Sequence, residues 1–246
     1  EKIVRRIFPV CSLEAAEMTK VLESTFRSVN IALVNEWAVG CRALGLDPWE
    51  IVDAAATKPY GFLPFWPGPG VGGHCVPVDP LWLAERLRSS GAPTRFIELA
   101  DEVHASTTEA VVRRTCEALG ASEGSMPPLR GRRVLLSGIA YKRDVDDARE
   151  SPALVIRSRL LTLGARVDYH DPLVPNVPEL ELCSLSEPIA YGGYDVVIVL
   201  ADHTHVDYGR MLADAKMILD TRNVLARFIG GADGADGADC AKIVRW

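Results

Sequence analysis

From Ser12 to about Leu44 the chain keeps a single helical period for more than thirty residues, with Val21, Leu22, Phe26, Val29, Leu33 and Trp37 recurring at helical spacing. A helix of that length is nearly three times the usual globular one, so the pattern predicts a spine that joins two bodies rather than one member of a small bundle. Ser12 is placed to cap it, Glu14 suits the positive end of its dipole, and Gly45 ends it. Asp47-Pro48 opens a second helix to about Ala56, and two more amphipathic helices are expected over about 80–90 and 94–120. Residues 11–120 therefore read as an all-helical body. Residues 1–10 read as a β-like run without a partner, the remnant of a preceding domain.

After a Gly/Ser/Pro-containing linker at 121–131 the texture changes. Short β-branched runs at 133–138, 166–170, 195–200, 216–219 and 243–245 alternate with helical patterns, the clearest at 151–163. The runs are continuously apolar, as in a parallel sheet covered on both faces. The fold class expected is α/β: an all-helical domain with a long spine helix, then a doubly wound parallel-sheet domain over 132–246. The Gly-Ala-Asp repeat at 230–239 reads as a solvated turn.

Charge narrows the partners. The 246 residues carry a formal net charge of −6 with both signs interleaved, so no basic stripe is available to a phosphate backbone and nucleic acid is not expected. No stretch approaches the roughly 18 apolar residues of a membrane span, and the first residues lack a signal peptide's apolar middle, so neither membrane nor export is expected and the cytoplasm is the predicted location. The six cysteines show no close pairing. His74 and Cys75 are adjacent, and neighbours on an irregular loop rarely both turn to one tetrahedral ion without further ligands at suitable spacing, so no metal is expected.

The segment 57–80 holds six prolines and glycines at 61, 68, 70, 72 and 73, too long and irregular for a plain connector. Its glycines bare the backbone just before Cys75, which would let a ligand approach and leave amides to meet anions. Cys75 reads either as a nucleophile or as a small buried hydrophobe. Asp79 reads either as an acid/base reaching the same pocket or as the cap of the next helix. On the spine helix Lys20 and Ser24 share a face; they could hold an oxyanion and a water, or Lys20 could pair with Glu17 or Glu23 at the surface. Asn30 and Asn35 read as packing or interhelical hydrogen-bonding residues. After the first strand, Tyr141, Lys142 and Arg149 precede a helix begun by Ser151-Pro152, and Asp220-Thr221-Arg222 follows a later strand. Carboxyl ends of strands are where open α/β sheets bind ligands, so these loops suit a phosphate, or are charged surface. His170-Asp171 follows a strand too, where the aspartate could meet a ribose or start a turn.

Taken together and in order, Lys20, Gly72-Gly73-His74-Cys75 with Asp79, and the 138–152 loop resemble the UDP-glucose, UDP-N-acetylhexosamine and GDP-mannose 6-dehydrogenase family from about Ser12 to the end. The resemblance implies a helical central domain that dimerises through the spine, then a Rossmann-like domain binding the UDP-sugar. It implies NAD as cofactor, Cys75 as the nucleophile that carries a thioester, Lys20 as oxyanion support and Asp79 as proton-transfer or water-activating group. It implies substrate contacts from Ser24, Gly72, Tyr141, Lys142 and Arg222, and an NAD contact from Arg149. The 57–70 loop looks most like members acting on UDP-N-acetylhexosamines, which adds Lys58, Phe62 and Phe65. One position departs: the family usually has Asn where this chain has Ser24.

The family's first domain, with its Gly-x-Gly-x-x-Gly turn, has no counterpart in residues 1–30, so this chain by itself is expected to be inactive. Apolar surface left on the spine helix is expected to make it prone to association. Two other readings are a non-catalytic sugar-nucleotide-binding or dimerising homologue, and a member of the wider 6-phosphogluconate-dehydrogenase-like group.

Overall fold

A computed structural model describes residues 6–121, 127–229 and 242–245. The spine is α1, Leu13–Ala43, capped by the Ser12 hydroxyl accepting from the Ala15 amide at 3.2 Å. The second helix, α2, Pro48–Ala56, starts on the Asp47 carboxylate, which accepts from the amides of Trp49 and Glu50. After the proline-rich segment come α3, Asp79–Ser89, and α4, Arg95–Ala118, both packed on α1. The buried positions of α1 are mostly small: Ser24, Ser28, Ala32, Ala38 and Cys41, joined by Val34 and Asn35. Small side chains let the helices approach closely, and the large apolar residues that set the sequence period face outward. Leu22, Phe26, Leu33 and Trp37 are all about half exposed or more.

The second half holds β1 (Arg133–Ser137), α5 (Pro152–Thr162), β2 (Arg166–His170), a small hairpin of β3 (Asn176–Val177) and β4 (Leu182–Cys183), then β5 (Val196–Val199), α6 (Tyr208–Asp214), β6 (Ile218–Asp220), α7 (Ala226–Ile229) and β7 (Ile243–Arg245). Five strands form one parallel sheet in the order β2-β1-β5-β6-β7. Successive side chains point to opposite faces of a strand. Val134, Leu136 and Ile198 accordingly enter a core shared with α5, while Leu135, Val197 and Val199 enter a second core with Tyr208 and Met211 of α6. Each such side chain contributes about 1.5–3 kcal/mol by leaving water. The first core also takes in Trp49 of α2 and Val111 of α4, so the helical body and one face of the sheet share one apolar interior.

Several expectations change. Residues 6–10 form no regular element, and 1–5 lie outside the described residues, as does the 230–239 repeat. The linker's end is packed: Leu129 is wholly buried and its amide donates to the Leu163 carbonyl at 2.9 Å. The hairpin and the helices α6 and α7 were not anticipated, since elements of two to seven residues carry too few positions to show a period. Asn30 does not bridge helices; its amide donates to the Phe26 carbonyl of its own helix at 2.7 Å. Ser151 caps α5 as expected, accepting from the Ala153 amide at 3.2 Å while almost fully buried. Ser151→Ala is expected to cost about 1 kcal/mol, read as a lower urea midpoint with an unchanged slope.

Candidate functional site

The segment before Cys75 is wedged between α1 and the carboxyl edge of the sheet, and its glycines serve that fit. The Gly68 amide donates to the buried Asn35 side-chain oxygen at 2.9 Å, and the Gly73 amide donates to the Arg149 carbonyl at 3.0 Å. A Cβ on Gly68 would stand 2.5 Å from an Arg222 guanidinium nitrogen. On Gly72 it would stand 2.7 Å from both the Glu150 carbonyl oxygen and Tyr141 Cβ, and on Gly73 it would meet the Tyr141 ring at 2.8 Å. The expectation of bare amides open to an anion is therefore corrected for Gly68 and Gly73. Protein groups take their N–H bonds, and the close approach the glycines permit is that of Tyr141, Glu150 and Arg222.

Past Gly73 the chain turns into α3 by a bond from the Asp79 amide to the Cys75 carbonyl, 3.0 Å. The Asp79 carboxylate does not cap that helix, whose cap position is Val78 and carries no side-chain bond. It reaches α1 instead. The Lys20 ammonium donates to the Ser24 hydroxyl at 2.9 Å, and that hydroxyl donates to Asp79 Oδ2 at 3.2 Å. Lys20 Nζ also lies 3.9 Å from Asp79 Oδ2 and 4.0 Å from Glu23, so the surface pairing considered from sequence coexists with the inward one. Ser24 is fully buried, whereas Cys75 and Asp79 stay partly exposed, so Cys75 is not a small buried hydrophobe. The donor atoms of His74, Cys75 and Asp79 all lie within 4.8 Å of one another. The third member of this group, Asp79, is brought to His74 and Cys75 by the turn into α3.

Across the segment stands the sheet's switch point, where the order reverses between β1 and β5. Tyr141 packs under Gly73. Lys142 is exposed. The Arg149 guanidinium is largely exposed and holds Asp147 through two nitrogens, with Nη2 to Oδ2 at 2.6 Å and Nε to Oδ1 at 3.0 Å. Arg222, following β6, donates from Nε to Asp202 Oδ1 at 3.1 Å, which aims it along the edge beside Gly68. The frame behind these side chains is Asp171. Its Oδ2 accepts from the amides of Ile139 and Ala140 at 2.7 and 2.9 Å and from His203 Nε2 at 3.1 Å, while Oδ1 accepts from Leu173 and Val174. Burial by itself would push this carboxyl up, but His203 and the amides outweigh it and hold it at about 2. Asp171 starts a turn and clamps the β1 loop. His203 Nδ1 accepts from the Asp144 amide at 3.0 Å, which leaves Nε2 to carry the proton that Asp171 accepts. Asp144 is in turn held at about 2 by the Thr204 hydroxyl and amide, with Arg143 adding to it.

The structure thus gathers Lys20, Ser24, Cys75 and Asp79, and sets Tyr141, Arg149 and Arg222 along the facing edge. It does not bring the 57–65 residues to that cluster. Lys58 lies 5.4 Å over the Tyr60 ring, and Phe62 and Phe65 line a separate apolar cavity of about 340 Å³ with Leu33 and Trp37. Phe65 meets Phe26 edge-on at 5.9 Å. Asp202 and His203 were missed from sequence, although their place directly after β5 was the available signal.

Two family models match this chain. Residues 14–106 match the central domain of the UDP-glucose/GDP-mannose dehydrogenase family, and residues 135–227 match its UDP binding domain. The chain belongs to this family. Among its relatives, a UDP-N-acetyl-D-mannosamine dehydrogenase of Methanocaldococcus jannaschii is 33% identical over 229 residues, covering 90% of this chain and 50% of the relative. An NDP-N-acetyl-D-galactosaminuronic acid dehydrogenase of Ralstonia solanacearum is 32% identical, covering 91% and 51%. The solved NDP-N-acetyl-D-galactosaminuronic acid dehydrogenase of Methanosarcina mazei Go1 superposes with a TM-score of 0.77 at 29% identity, over 96% of this chain and 50% of that one. The chain spans about half the length of the curated relatives it matches. As a family member it carries the helical central domain and the Rossmann-like nucleotide domain of nucleotide-sugar dehydrogenases. Among its described residues no helix is long and apolar enough to cross a membrane.

Proposed function

We propose that this chain supplies the sugar-handling machinery for NAD-dependent oxidation of the C6 alcohol of a UDP-N-acetylhexosamine to the uronic acid. The convergence of Lys20, Ser24 and Asp79 beside a partly exposed Cys75 carries this reading. A protein that only bound the nucleotide would have no use for a hydrogen-bonded ammonium, hydroxyl and carboxylate next to a thiol. The names of the relatives, which act on N-acetylated sugars, support the substrate class.

The residues divide the work as follows. Lys20 holds the C6 oxygen as negative charge develops on it, first as alkoxide and then as the oxyanion of the adduct. Cys75 Sγ adds to the C6 aldehyde to give a thiohemiacetal, which keeps the aldehyde from escaping, and the next two-electron oxidation turns the adduct into a thioester. Asp79, oriented by Ser24, positions the water that adds to the thioester carbon; the C–S bond then breaks, releasing the carboxylate and restoring the thiol. Bound NAD would supply the hydride acceptor, one NAD molecule for each of the two oxidations. Arg149, largely exposed at the sheet edge and held by Asp147, would serve that cofactor as a cation for its phosphates. Tyr141, Lys142 and Arg222 hold the UDP at the switch point, with Gly72 setting how closely the segment approaches them. The outward apolar face of α1, with Phe62 and Phe65 at its edge and Lys58 nearby, packs against a second copy to form a homodimer. The free thiols described suit the reducing cytoplasm.

Titration calorimetry with UDP, UDP-glucose, UDP-N-acetylglucosamine and GDP-mannose tests the nucleotide half directly. Lys142→Ala and Arg222→Ala are each expected to weaken UDP-sugar binding about tenfold or more, as loss of a charged hydrogen bond to phosphate does. Unchanged affinity in both would remove the proposed nucleotide site.

A further inference from the structure

His74 has no part in the chemistry proposed above, yet its ring faces the same point as the thiol. We infer that His74, Cys75 and Asp79 form a site for one thiophilic divalent cation, of which Zn²⁺ is the representative. The three donors are an imidazole nitrogen, a sulfur and a carboxylate oxygen, mutually within 4.8 Å. Around tetrahedral zinc, bonds of about 2.0–2.3 Å place donors roughly 3.3–3.8 Å apart, so modest side-chain rotation closes the set. The fold supplies the spacing. The bond from the Asp79 amide to the Cys75 carbonyl curls residues 75–79 into one turn, which lifts Asp79 back over Cys75 and beside His74.

The donor set also selects the ion. A thiolate with an imidazole favours zinc and its neighbours over magnesium or calcium, which want oxygen alone. The Ser24 hydroxyl bonds Asp79 Oδ2, leaving Oδ1 for the ion, the kind of outer support that orients metal-binding carboxylates. Three protein donors leave the fourth position to water, and the exposure of His74 gives the ion a path in. Binding forms a bond from Sγ to the metal and releases the thiol proton to solvent. A sulfur so held is no longer a nucleophile, and where Cys75 has the role proposed above the ion is an off-switch for it. The binding itself stands independently of that role.

The test is spectroscopic and needs neither nucleotide nor turnover. Co²⁺ added to the reduced full chain is expected to raise a sulfur-to-cobalt charge-transfer band and a tetrahedral ligand-field band that saturate at one equivalent and disappear when Zn²⁺ is added. Cys75→Ser abolishes the charge-transfer band, and His74→Asn and Asp79→Asn each raise the half-saturation point at least tenfold, with circular dichroism confirming the fold. In the unaltered chain, Zn²⁺ slows iodoacetamide labelling of Cys75 but not of exposed Cys11 and Cys183. The inference is overturned by the absence of these bands, by their survival in Cys75→Ser, by unchanged half-saturation in His74→Asn and Asp79→Asn, or by equal Zn²⁺ protection of all three thiols.

Discussion

Asp171→Asn is expected to lose on the order of 3–5 kcal/mol of unfolding free energy at neutral pH, measured by urea denaturation. The position is surrounded by donors: four backbone amides and the His203 Nε2–H all point at the two carboxylate oxygens. An amide side chain keeps one oxygen but turns an NH₂ toward the remaining donors, so at least two N–H groups lose their partner in a buried site. The pH dependence separates this charge from general packing. The carboxyl sits at about 2 in the folded chain against an ordinary value of 3.8. A lowered folded value means the stabilisation is complete above the unfolded value and fades as pH falls from there toward 2. The stability gap between the parent chain and Asp171→Asn is therefore widest near neutrality and narrows as pH is lowered from about 5 to 2. A gap that stayed constant through that window would show that the charge is not what holds the loop.

The second large effect is expected at Gly73. Its φ is +82°, in the left-handed region, and a Cβ there would meet the Tyr141 ring at 2.8 Å. Gly73→Ala should therefore lose about 1–2 kcal/mol for backbone conformation and a further 1–3 kcal/mol for the overpacked contact. Gly91→Ala isolates the first part, since Gly91 has a φ of +74° and open space around the added carbon. The difference in urea stability between the two variants measures the docking of the segment onto the nucleotide domain. Equal losses would mean that the Tyr141 contact contributes nothing. Because this contact sets where Cys75 stands relative to the sheet edge, Gly73→Ala is also expected to change the rate of iodoacetamide reaction at Cys75, and Gly91→Ala is not.

Much of the architecture was legible in one dimension. The spine helix, its Ser12 cap, the α/β texture after residue 132 and the Ser151 start of α5 all rest on local rules of period and capping, and each lies where those rules put it. Lys20 and Ser24 could be paired from spacing alone, because residues four apart on a helix are neighbours. Local rules could not say which way the spine faces. The large apolar residues that announce its period point outward, and mostly small residues fill its buried positions, because close packing against α3 and α4 rewards small side chains.

What only the tertiary structure decided is the set of contacts between distant residues. Asp79 looked from sequence like a cap or an acid, and it is the fold that turns its carboxylate across 55 positions to Ser24. Asp171 and His203, 32 positions apart, meet because β2 and β5 flank β1 in the parallel sheet. The glycines before Cys75 announced a close approach, and only the fold shows that Tyr141, Glu150 and Arg222 are what come close. Period and capping act within a few residues and so can be read along the chain. Convergence depends on strand order and on which helix faces meet, and those are settled by burial of the shared core as a whole.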